Sequence, residues 1–461
     1  MDETSTRRAG RRRNGWLAPV LAMAVVALQA APGGAVTSSD LDTSFGGDGE
    51  VVTSFGGPSG ASAVAFTSRG ILVAGVSSPH DAPARIALAR YRLNGSLDPT
   101  FGGDGKVTTV FKAGQVTTAD LLRLPSGRFV VGATVESASN AHFALARYRP
   151  NGSLDPSFGT SGKVVAGLGR GRWVLRDVIR QANGKLVAGG MRITTDPDTG
   201  RQFGRFALAR FLLDGSVDRA YGDDGHVVTA FRTGSVGNDQ ESGVNGIAVD
   251  VQNRTVAAGW TSADSCHYRW ALARYLPGGG LDATFGGDGR VVTAFQHNDS
   301  RATAVGIGDD NRISVAGSTT ARGCDGNPPP DTGSAALARY RAGGRLDQSF
   351  GGDGRVTSVF LGSERANAHY EDLALMEGGF IAATGSAHDG DNQFIVVVGE
   401  YVRSGLLNKA FSGDGKAKAR GPYDVAVGSG IAVDPDGRPI VAGSTFGPRR
   451  QSRFLVARFL A

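Results

Sequence analysis

The chain has 461 residues and 70 of them are glycine, about twice the usual share of roughly 7%. Hydrophobic residues make up 40% and charged residues 20%, which supplies a large core and argues against a disordered chain. The glycines follow no three-residue period, which excludes a collagen-like chain. Because glycine at this level weakens long helices, the composition predicts short strands joined by many turns.

The formal net charge is +6, and half of it lies in residues 1–35. This segment is rich in arginine, continues with an apolar run from Trp16 to about Leu28, and ends in small residues up to Ala35. That order is typical of a signal peptide, and the apolar run is too short for a membrane span of about 20 residues. We therefore expect residues 1–35 to be a signal peptide of a secreted or cell-surface protein without a stable membrane span.

The rest of the chain carries little net charge and has no stripe of Lys and Arg. Proteins that bind nucleic acid need such a stripe to neutralise phosphates. The sequence therefore argues against a nucleic-acid partner.

A unit with a mean length of about 61 residues recurs along residues 41–461. In chain order, each unit has a glycine-rich corner (as at 41–49), a short apolar run (51–55), an alternating run (63–66), a run that ends in Val-Ala-Gly (71–75), and Ala-Leu-Ala-Arg-Tyr (87–91). No helical period competes with these runs, so each unit is predicted to form four short β-strands. The corners begin at Leu41, Leu97, Leu154, Val217, Leu281, Leu346 and Leu407.

Repeated four-stranded units predict an all-β fold, a β-propeller whose blades bury their faces against each other. The run at 51–55 has no unit before it, whereas the last unit, which ends at 456–460, lacks the strand that should follow. The surplus strand matches the missing one. We therefore expect residues 36–461 to form a single domain, a seven-bladed propeller of four-stranded blades whose ring is closed by the N-terminal strand.

In six units, a charged residue is followed eight positions later by an acidic or amide residue. We expect these residues to form partly buried ion pairs, because unit six exchanges both members at once, to Glu400 and Asn408, and so avoids two like charges. Ring closure adds a pair between the two ends of the chain. The predicted structural pairs are Arg90 with Asp98, Arg147 with Asp155, Arg210 with Asp218, Arg274 with Asp282, Arg339 with Asp347, and Arg458 with Asp42.

These units resemble the delta-60 repeat, a bacterial repeat marked by Leu-Asp-x-x-Phe-Gly-x-x-Gly, an Asp-Gly hairpin before Val-Ala-Gly, and Ala-Leu-Ala-Arg-Tyr. All three motifs occur, for example at 97–105, 436–443 and 144–148, and the resemblance covers essentially residues 41–461. It implies an exported, propeller-like protein of seven such repeats. It implies no activity, because the family has no established catalytic residues.

The two cysteines, Cys266 and Cys324, fall in matching loops of neighbouring units. Export would favour a disulfide between them. Equivalent points on adjacent units can lie farther apart than the limit of about 7 Å between Cα atoms, in which case both thiols stay free.

No motif in the chain predicts chemistry. Each Gly-Asp-Gly corner offers one aspartate, whereas calcium takes about six to eight oxygens, so Asx turns explain these corners better. The seven histidines include no closely spaced pair of metal ligands, and no Gly-x-Ser-x-Gly elbow occurs. The sequence therefore predicts no catalytic residue, no metal ligand and no cofactor.

Three functions remain open at this stage. The first is an exported, non-enzymatic binding or scaffold propeller that acts as a monomer on an unidentified protein or glycan ligand. The second is a secreted glycan hydrolase or lyase, which a cluster of acids or histidines with shifted pKa values at the channel mouth would favour. The third is a self-assembling structural surface protein, which a broad apolar patch would favour. Longer inserts at 191–205, 232–243 and 320–334 expand units three to five. If the chain has a ligand surface, we expect it near Arg192 to Arg205 and Thr320 to Ser334; the alternative is that these are tolerated insertions without a function.

Overall fold

The computed structural model describes residues 40–138, 140–231, 241–262, 267–295, 299–320, 333–361, 367–388, 393–423, 425–447 and 451–461. They belong to one compact unit, Ser38–Ala461. The predicted signal peptide, Cys266, Cys324 and most of the 320–334 insert lie outside the described residues.

Strands make up nearly all of the regular structure in the described ranges, where the one helical element is a 3-10 turn, Glu377–Gly379. The strands are β1 (Glu50–Thr53), β2 (Ser59–Thr67), β3 (Gly70–Ser77), β4 (Arg85–Tyr91), β5 (Lys106–Thr109), β6 (Gln115–Arg123), β7 (Phe129–Glu136), β8 (Ala141–Tyr148), β9 (Lys163–Val165), β10 (Arg172–Arg180), β11 (Leu186–Thr195), β12 (Gln202–Phe211), β13 (His226–Thr229), β14 (Ser242–Val249), β15 (Thr255–Ser262), β16 (Tyr268–Tyr275), β17 (Arg290–Thr293), β18 (Asp299–Ile307), β19 (Ile313–Thr320), β20 (Gly333–Tyr340), β21 (Arg355–Ser358), β22 (Asn367–Leu375), β23 (Ile381–His388), β24 (Phe394–Tyr401), β25 (Lys416–Ala419), β26 (Ala426–Val433), β27 (Pro439–Phe446) and β28 (Ser452–Arg458).

These strands pair in antiparallel groups of four, numbered here as sheets 1 to 7. Sheets 1 to 6 are β2–β5, β6–β9, β10–β13, β14–β17, β18–β21 and β22–β25, and sheet 7 contains β26, β27, β28 and β1. A single parallel bridge between Gly333 and Asn367 links sheets 5 and 6. Strand β1 pairs with β28 in a register that runs from Glu50 opposite Ala457 to Thr53 opposite Phe454. The expectation of an all-β fold with repeated four-stranded sheets is confirmed.

The core lies between successive sheets. The Ala-Leu-Ala-Arg-Tyr strands are buried on both faces, as the burial of β4 from Ile86 to Tyr91 illustrates, because each sheet packs against the one before and the one after. Phe454 of sheet 7 shares a hydrophobic cluster with Ile71 of sheet 1. Strands buried on both faces need continuous apolar runs, which explains why these runs do not alternate.

Each first strand contains one irregular step in its pairing, and in six sheets this step lies beside the glycine of Val-Ala-Gly. In sheet 4 the step falls between Val244 and Gly246, and a Cβ on the facing Gly259 would collide with the carbonyl oxygen of Gly243. In sheet 2 the equivalent residue is Ala133, and the step is displaced along the strand, to between Val116 and Thr118. Glycine at this position therefore fixes where the bulge forms.

We expect Gly259→Ala to lower the free energy of unfolding by about 1 to 3 kcal/mol, because the new methyl group pushes the carbonyl of Gly243 out of the bulge. Chemical denaturation measures the loss. Gly167→Ala is the matched control, since a Cβ at Gly167 meets nothing within 4 Å. Equal stability of the two variants would contradict the role of Gly259.

Candidate functional site

The structure brings the members of all six predicted structural pairs into contact. The distances between Nε of each arginine and Oδ2 of its aspartate lie between 2.7 and 3.0 Å. In the pair of Arg458 with Asp42, the two atoms are 2.9 Å apart but lack the alignment of a hydrogen bond. In sheet 6, the amide of Asn408 donates to the carboxyl of Glu400 instead.

Each arginine of these pairs also reaches the next sheet. In sheet 5, the guanidinium of Arg339 lies 4.7 Å above the ring of Phe350, donates to Ser349 Oγ at 3.1 Å, and donates to the backbone carbonyl of Arg403 in sheet 6. The equivalent atom of Arg458, Nη1, donates to the carbonyl of Leu93, next to sheet 1, at 2.7 Å. The corner of a sheet is therefore tied to its neighbour by a buried charge-assisted hydrogen bond.

Most of these aspartates accept a second cation, which sequence reasoning missed. In sheet 5 this cation is Arg312, whose Nε lies 2.9 Å from Asp347 Oδ2. Burial by itself would raise the pKa of Asp347, but the hydrogen bonds from Ser349 and the charge of Arg339 lower it to about 2. The available signal was a Lys or Arg at the end of the turn that joins the first and second strands of a sheet. The other members of this set are Arg128, Lys185, Arg254 and Arg438.

The Gly-Asp-Gly corners form Asx turns, as the backbone N–H of Glu50 donates to Asp48 Oδ1 at 3.0 Å. In the described ranges, no group of three or more His, Cys, Asp or Glu side chains is placed to hold a metal ion. In that same part of the chain, no helix is long and apolar enough to span a membrane.

Three aspartates on first strands form a set that the sequence did not reveal. Asp120 on β6, Asp177 on β10 and Asp372 on β22 each accept a hydrogen bond from a backbone N–H of the following sheet. The donors are Val178 at 2.9 Å, Ile247 at 2.6 Å and Ile431 at 2.9 Å. Each carboxyl therefore holds two sheets together.

The charges of these side chains influence each other. Burial raises the pKa of all three, and raises that of Asp372 to about 7. Asp120 and Asp177 share a hydrogen bond between their carboxyls, and the charges of Asp120 and Asp372 raise the pKa of Asp177 further. Burial lowers the pKa of the neighbouring Arg176, which feels the charge of Glu371. This arrangement favours the protonated form of the carboxyls, which is the form that a general acid requires.

A separate cavity of about 440 Å³, named here the rim pocket, opens between sheets 3 and 4. It lies beside Arg192, in the insert where the sequence analysis expected a ligand surface. Its polar lining comprises Arg192, Asp223, His226, Thr229, Tyr275 and Arg290, and its volume falls within the range of about 300 to 1,000 Å³ typical of small-ligand sites.

His226 lines the rim pocket and packs against an aromatic ring. Its imidazole packs edge-on against Trp173 at 5.0 Å, and the guanidinium of Arg192 lies 5.6 Å from the centre of the same indole. Burial is the main cause that lowers the pKa of His226, and the charge of Arg192 adds to it. The Nδ1 atom is buried and has no hydrogen-bond partner among the described residues. The imidazole is therefore neutral near pH 7.

His226 departs from the repeat at its position. In four other sheets the first residue of the last strand is a Lys or Arg that donates to a backbone carbonyl of the preceding sheet, as Arg290 does to Ala230 at 3.0 Å. The imidazole is shorter than those side chains, so it packs on Trp173 instead. The four cations are Lys163, Arg290, Arg355 and Lys416.

Comparison with known families supports a β-propeller repeat family. Residues 70–101, 124–158 and 181–221 match a family model described as "Domain of unknown function (DUF5122) beta-propeller". Together with the repeated four-stranded sheets, this match identifies a β-propeller fold. No curated protein sequence matches the chain.

Several solved structures are similar to the chain at low sequence identity. A protein of unknown function from Dyadobacter fermentans is 8% identical with a TM-score of 0.44, over 76% of this chain and 95% of that one. Polysaccharide lyase Uly1 is 9% identical with a TM-score of 0.47, over 87% and 89%. A PL25 ulvan lyase is 10% identical with a TM-score of 0.46, over 89% and 96%. Similarity at this level does not indicate what the chain binds.

We expect Arg339→Met to lower the free energy of unfolding by about 3 kcal/mol, because it removes the buried donor of Asp347 Oδ2 and leaves the carbonyl of Arg403 without its charged donor. Arg341→Gln is the control, since Arg341 is 66% exposed and lies 3.7 Å from the same carboxyl. It should change stability by less than about 1 kcal/mol. Urea denaturation of both variants measures the difference, and similar losses would contradict the role of the buried pair.

Asp372 predicts a dependence of stability on pH. Its pKa rises from 3.8 to about 7 on folding, so the folded state holds the proton more tightly than the unfolded state. The contribution of Asp372 is therefore greatest below pH 4, falls as the pH rises towards 7, and is constant above that.

Asp372→Asn should reduce this slope and make the protein more stable than the wild type above pH 7, because the amide oxygen still accepts the N–H of Ile431. Asp120, Asp177 and Glu50, whose pKa values are also raised, leave a residual slope of the same sign. Asp372→Ala, which removes the acceptor, should be less stable than Asp372→Asn at every pH. Denaturation curves between pH 4 and 8 check both expectations, and an unchanged slope in Asp372→Asn would contradict the role of Asp372.

Proposed function

We propose that this protein is an exported, non-enzymatic binding propeller that acts as a monomer on a protein or glycan outside the cell. Its single domain is a ring of seven delta-60-type blades, closed by the N-terminal strand. The order of arginines and apolar residues in 1–35 supports export, with the mature protein secreted or at the cell surface.

Ring closure is supported by contacts that repeat between successive sheets and also join sheet 7 to sheet 1. The hydroxyl of Tyr148 in sheet 2 donates to Thr109 in sheet 1 at 2.8 Å. In the same way, Tyr91 in sheet 1 donates to Thr53 on β1 at 2.7 Å. The contact of Arg458 with Leu93 follows the same rule as the other corner arginines. The two ends of the chain thus use bonds of the same kind as those between other neighbouring sheets.

The observation that favours binding over catalysis is the location of the cavity. The rim pocket lies beside the expanded hairpin of sheet 3, on loops and strand ends that the sheets hold in place. Asp120, Asp177 and Asp372, whose pKa values are raised, lie elsewhere, and each already accepts a backbone N–H of the next sheet. Their burial is therefore explained by sheet packing.

Glycan arrays and cell-wall polymers incubated with the secreted form of the protein test this function. We expect binding to at least one polymer without any release of shorter products. Alanine substitution of Arg192, Arg201 and Arg205 in the insert should weaken that binding. Depolymerisation of a bound polymer would contradict a non-enzymatic role.

A second candidate function is a secreted glycan hydrolase or lyase, which the proton-sharing pair of Asp120 and Asp177 favours, because a carboxyl with a raised pKa suits a general acid. In that case Asp177→Asn should abolish polymer cleavage while polymer binding and the circular dichroism spectrum stay unchanged. Cleavage that survives Asp177→Asn would rule out this pair.

A further inference from the structure

We propose that the rim pocket binds a hydroxylated carboxylate of sugar size, that is, a uronic acid unit. This inference rests on the proposed binding function and names the ligand class of one site. Its basis is the space that the repeat leaves open between sheets 3 and 4, and the charged groups that border that space.

The pocket borders a turn of sheet 4 that lacks the polar side chains of the equivalent turns in sheets 1 to 3. The turn after β4 is Asn-Gly-Ser, in which Ser96 donates to Asn94 Oδ1 at 2.7 Å. The turns after β8 and β12 contain the same bond, from Ser153 to Asn151 and from Ser216 to Asp214. The turn after β16 is three glycines, 278–280, and a Cβ on Gly280 would meet nothing within 4 Å. The pocket therefore lies where the sequence of this turn departs from that of sheets 1 to 3.

Two guanidinium groups border this space and are held by backbone carbonyls. Arg192 donates from Nε to the carbonyl of Arg170 at 2.9 Å, and Arg290 donates from Nε to the carbonyl of Ala230 at 3.0 Å. The Nη atoms of Arg192 take no part in that bond. A planar guanidinium held in this way matches a carboxylate, which it binds with paired hydrogen bonds.

The remaining groups favour a ligand that also carries hydroxyls. Asp223 is exposed at the edge of the pocket, and the neutral His226 has a buried Nδ1 without a partner among the described residues. The exposed carboxylate of Asp223 can accept hydrogen bonds from hydroxyl groups, whereas Nδ1 of His226 is shielded from the cavity. Arg290 is already paired with Asp288 at 3.1 Å, so the pocket carries little net charge. A bare anion would be repelled by Asp223, whereas an acid sugar satisfies both kinds of group.

Titration calorimetry of the secreted full chain with D-glucuronate, glucose and acetate tests this inference. We expect glucuronate to bind, and glucose and acetate to bind at least about tenfold more weakly, because each lacks one of the two recognised groups. The ligand could be a free uronic acid or a uronic acid unit within a polymer, and titration with a uronic acid polymer distinguishes the two. Tighter binding of the polymer would assign the site to units within a polymer, and equal affinity per sugar unit would assign it to free acids.

Two variants of the same turn give a matched comparison. Gly280→Leu should fill the pocket and weaken glucuronate binding at least about tenfold. Gly278→Leu should bind as the wild type does, since Gly278 does not line the pocket and a Cβ there also meets nothing within 4 Å. Neither glycine has a positive φ, so the new side chains do not strain the backbone.

Charge variants complete the design. Arg192→Gln and Arg290→Gln should each weaken glucuronate binding by about tenfold or more. Arg355→Gln should not, although Arg355 makes the equivalent contact to Ala294 in the next sheet. Absence of glucuronate binding, equal binding of glucose, or wild-type affinity in Gly280→Leu would overturn the inference.

The outcome also separates this inference from the proposed function. If the protein binds a polymer on the arrays and Gly280→Leu leaves that binding unchanged, the ligand class of the pocket is wrong while the binding function stands. If glucuronate binds and Gly280→Leu abolishes it, but a glycan polymer is cleaved, the pocket stands while the non-enzymatic function is wrong.

Discussion

The packing of neighbouring sheets depends on buried arginine side chains, each of which forms hydrogen bonds in its own sheet and to the next sheet. In sheet 5, Arg339 satisfies Asp347 within its own corner and the carbonyl of Arg403 in the next sheet. A charge this deeply buried is costly unless hydrogen-bond partners compensate for the lost water. The next sheet supplies one of those partners, so the distance and angle between neighbouring sheets are fixed by hydrogen-bond geometry as well as by apolar packing.

The local parts of this network could be predicted from the sequence, and the long-range parts could not. Arg339 and Asp347 are eight residues apart because one tight turn joins them, so their spacing is visible in every unit. The bond to Arg403 depends on how two sheets pack, which no spacing encodes. Asp372 was missed for a related reason, since a bulge in the pairing changes the direction of the side chains and leaves no mark in the alternating pattern.

The rim pocket illustrates how a repeat acquires a site. Arg290 bridges sheets 3 and 4 as Arg355 and Lys416 bridge the sheets that follow. The cavity there is also lined by residues that depart from the repeat, namely His226 and the glycines of the turn after β16. Comparison of the units with each other, position by position, was the signal that could have located it. Function in such a protein lies in the departures from its own repeat.

The pairing of β1 with β28 has a consequence for how the chain reaches its native state. Glu50 and Ala457 are partners, although nearly the whole sequence separates them. During synthesis β1 emerges first and has no partner until the final residues appear, so its edge is open throughout. Such distant pairing makes folding slow. A second molecule that offers its own β28 could meet that edge first, and exchange of β1 between chains is the characteristic misfolding route for this topology.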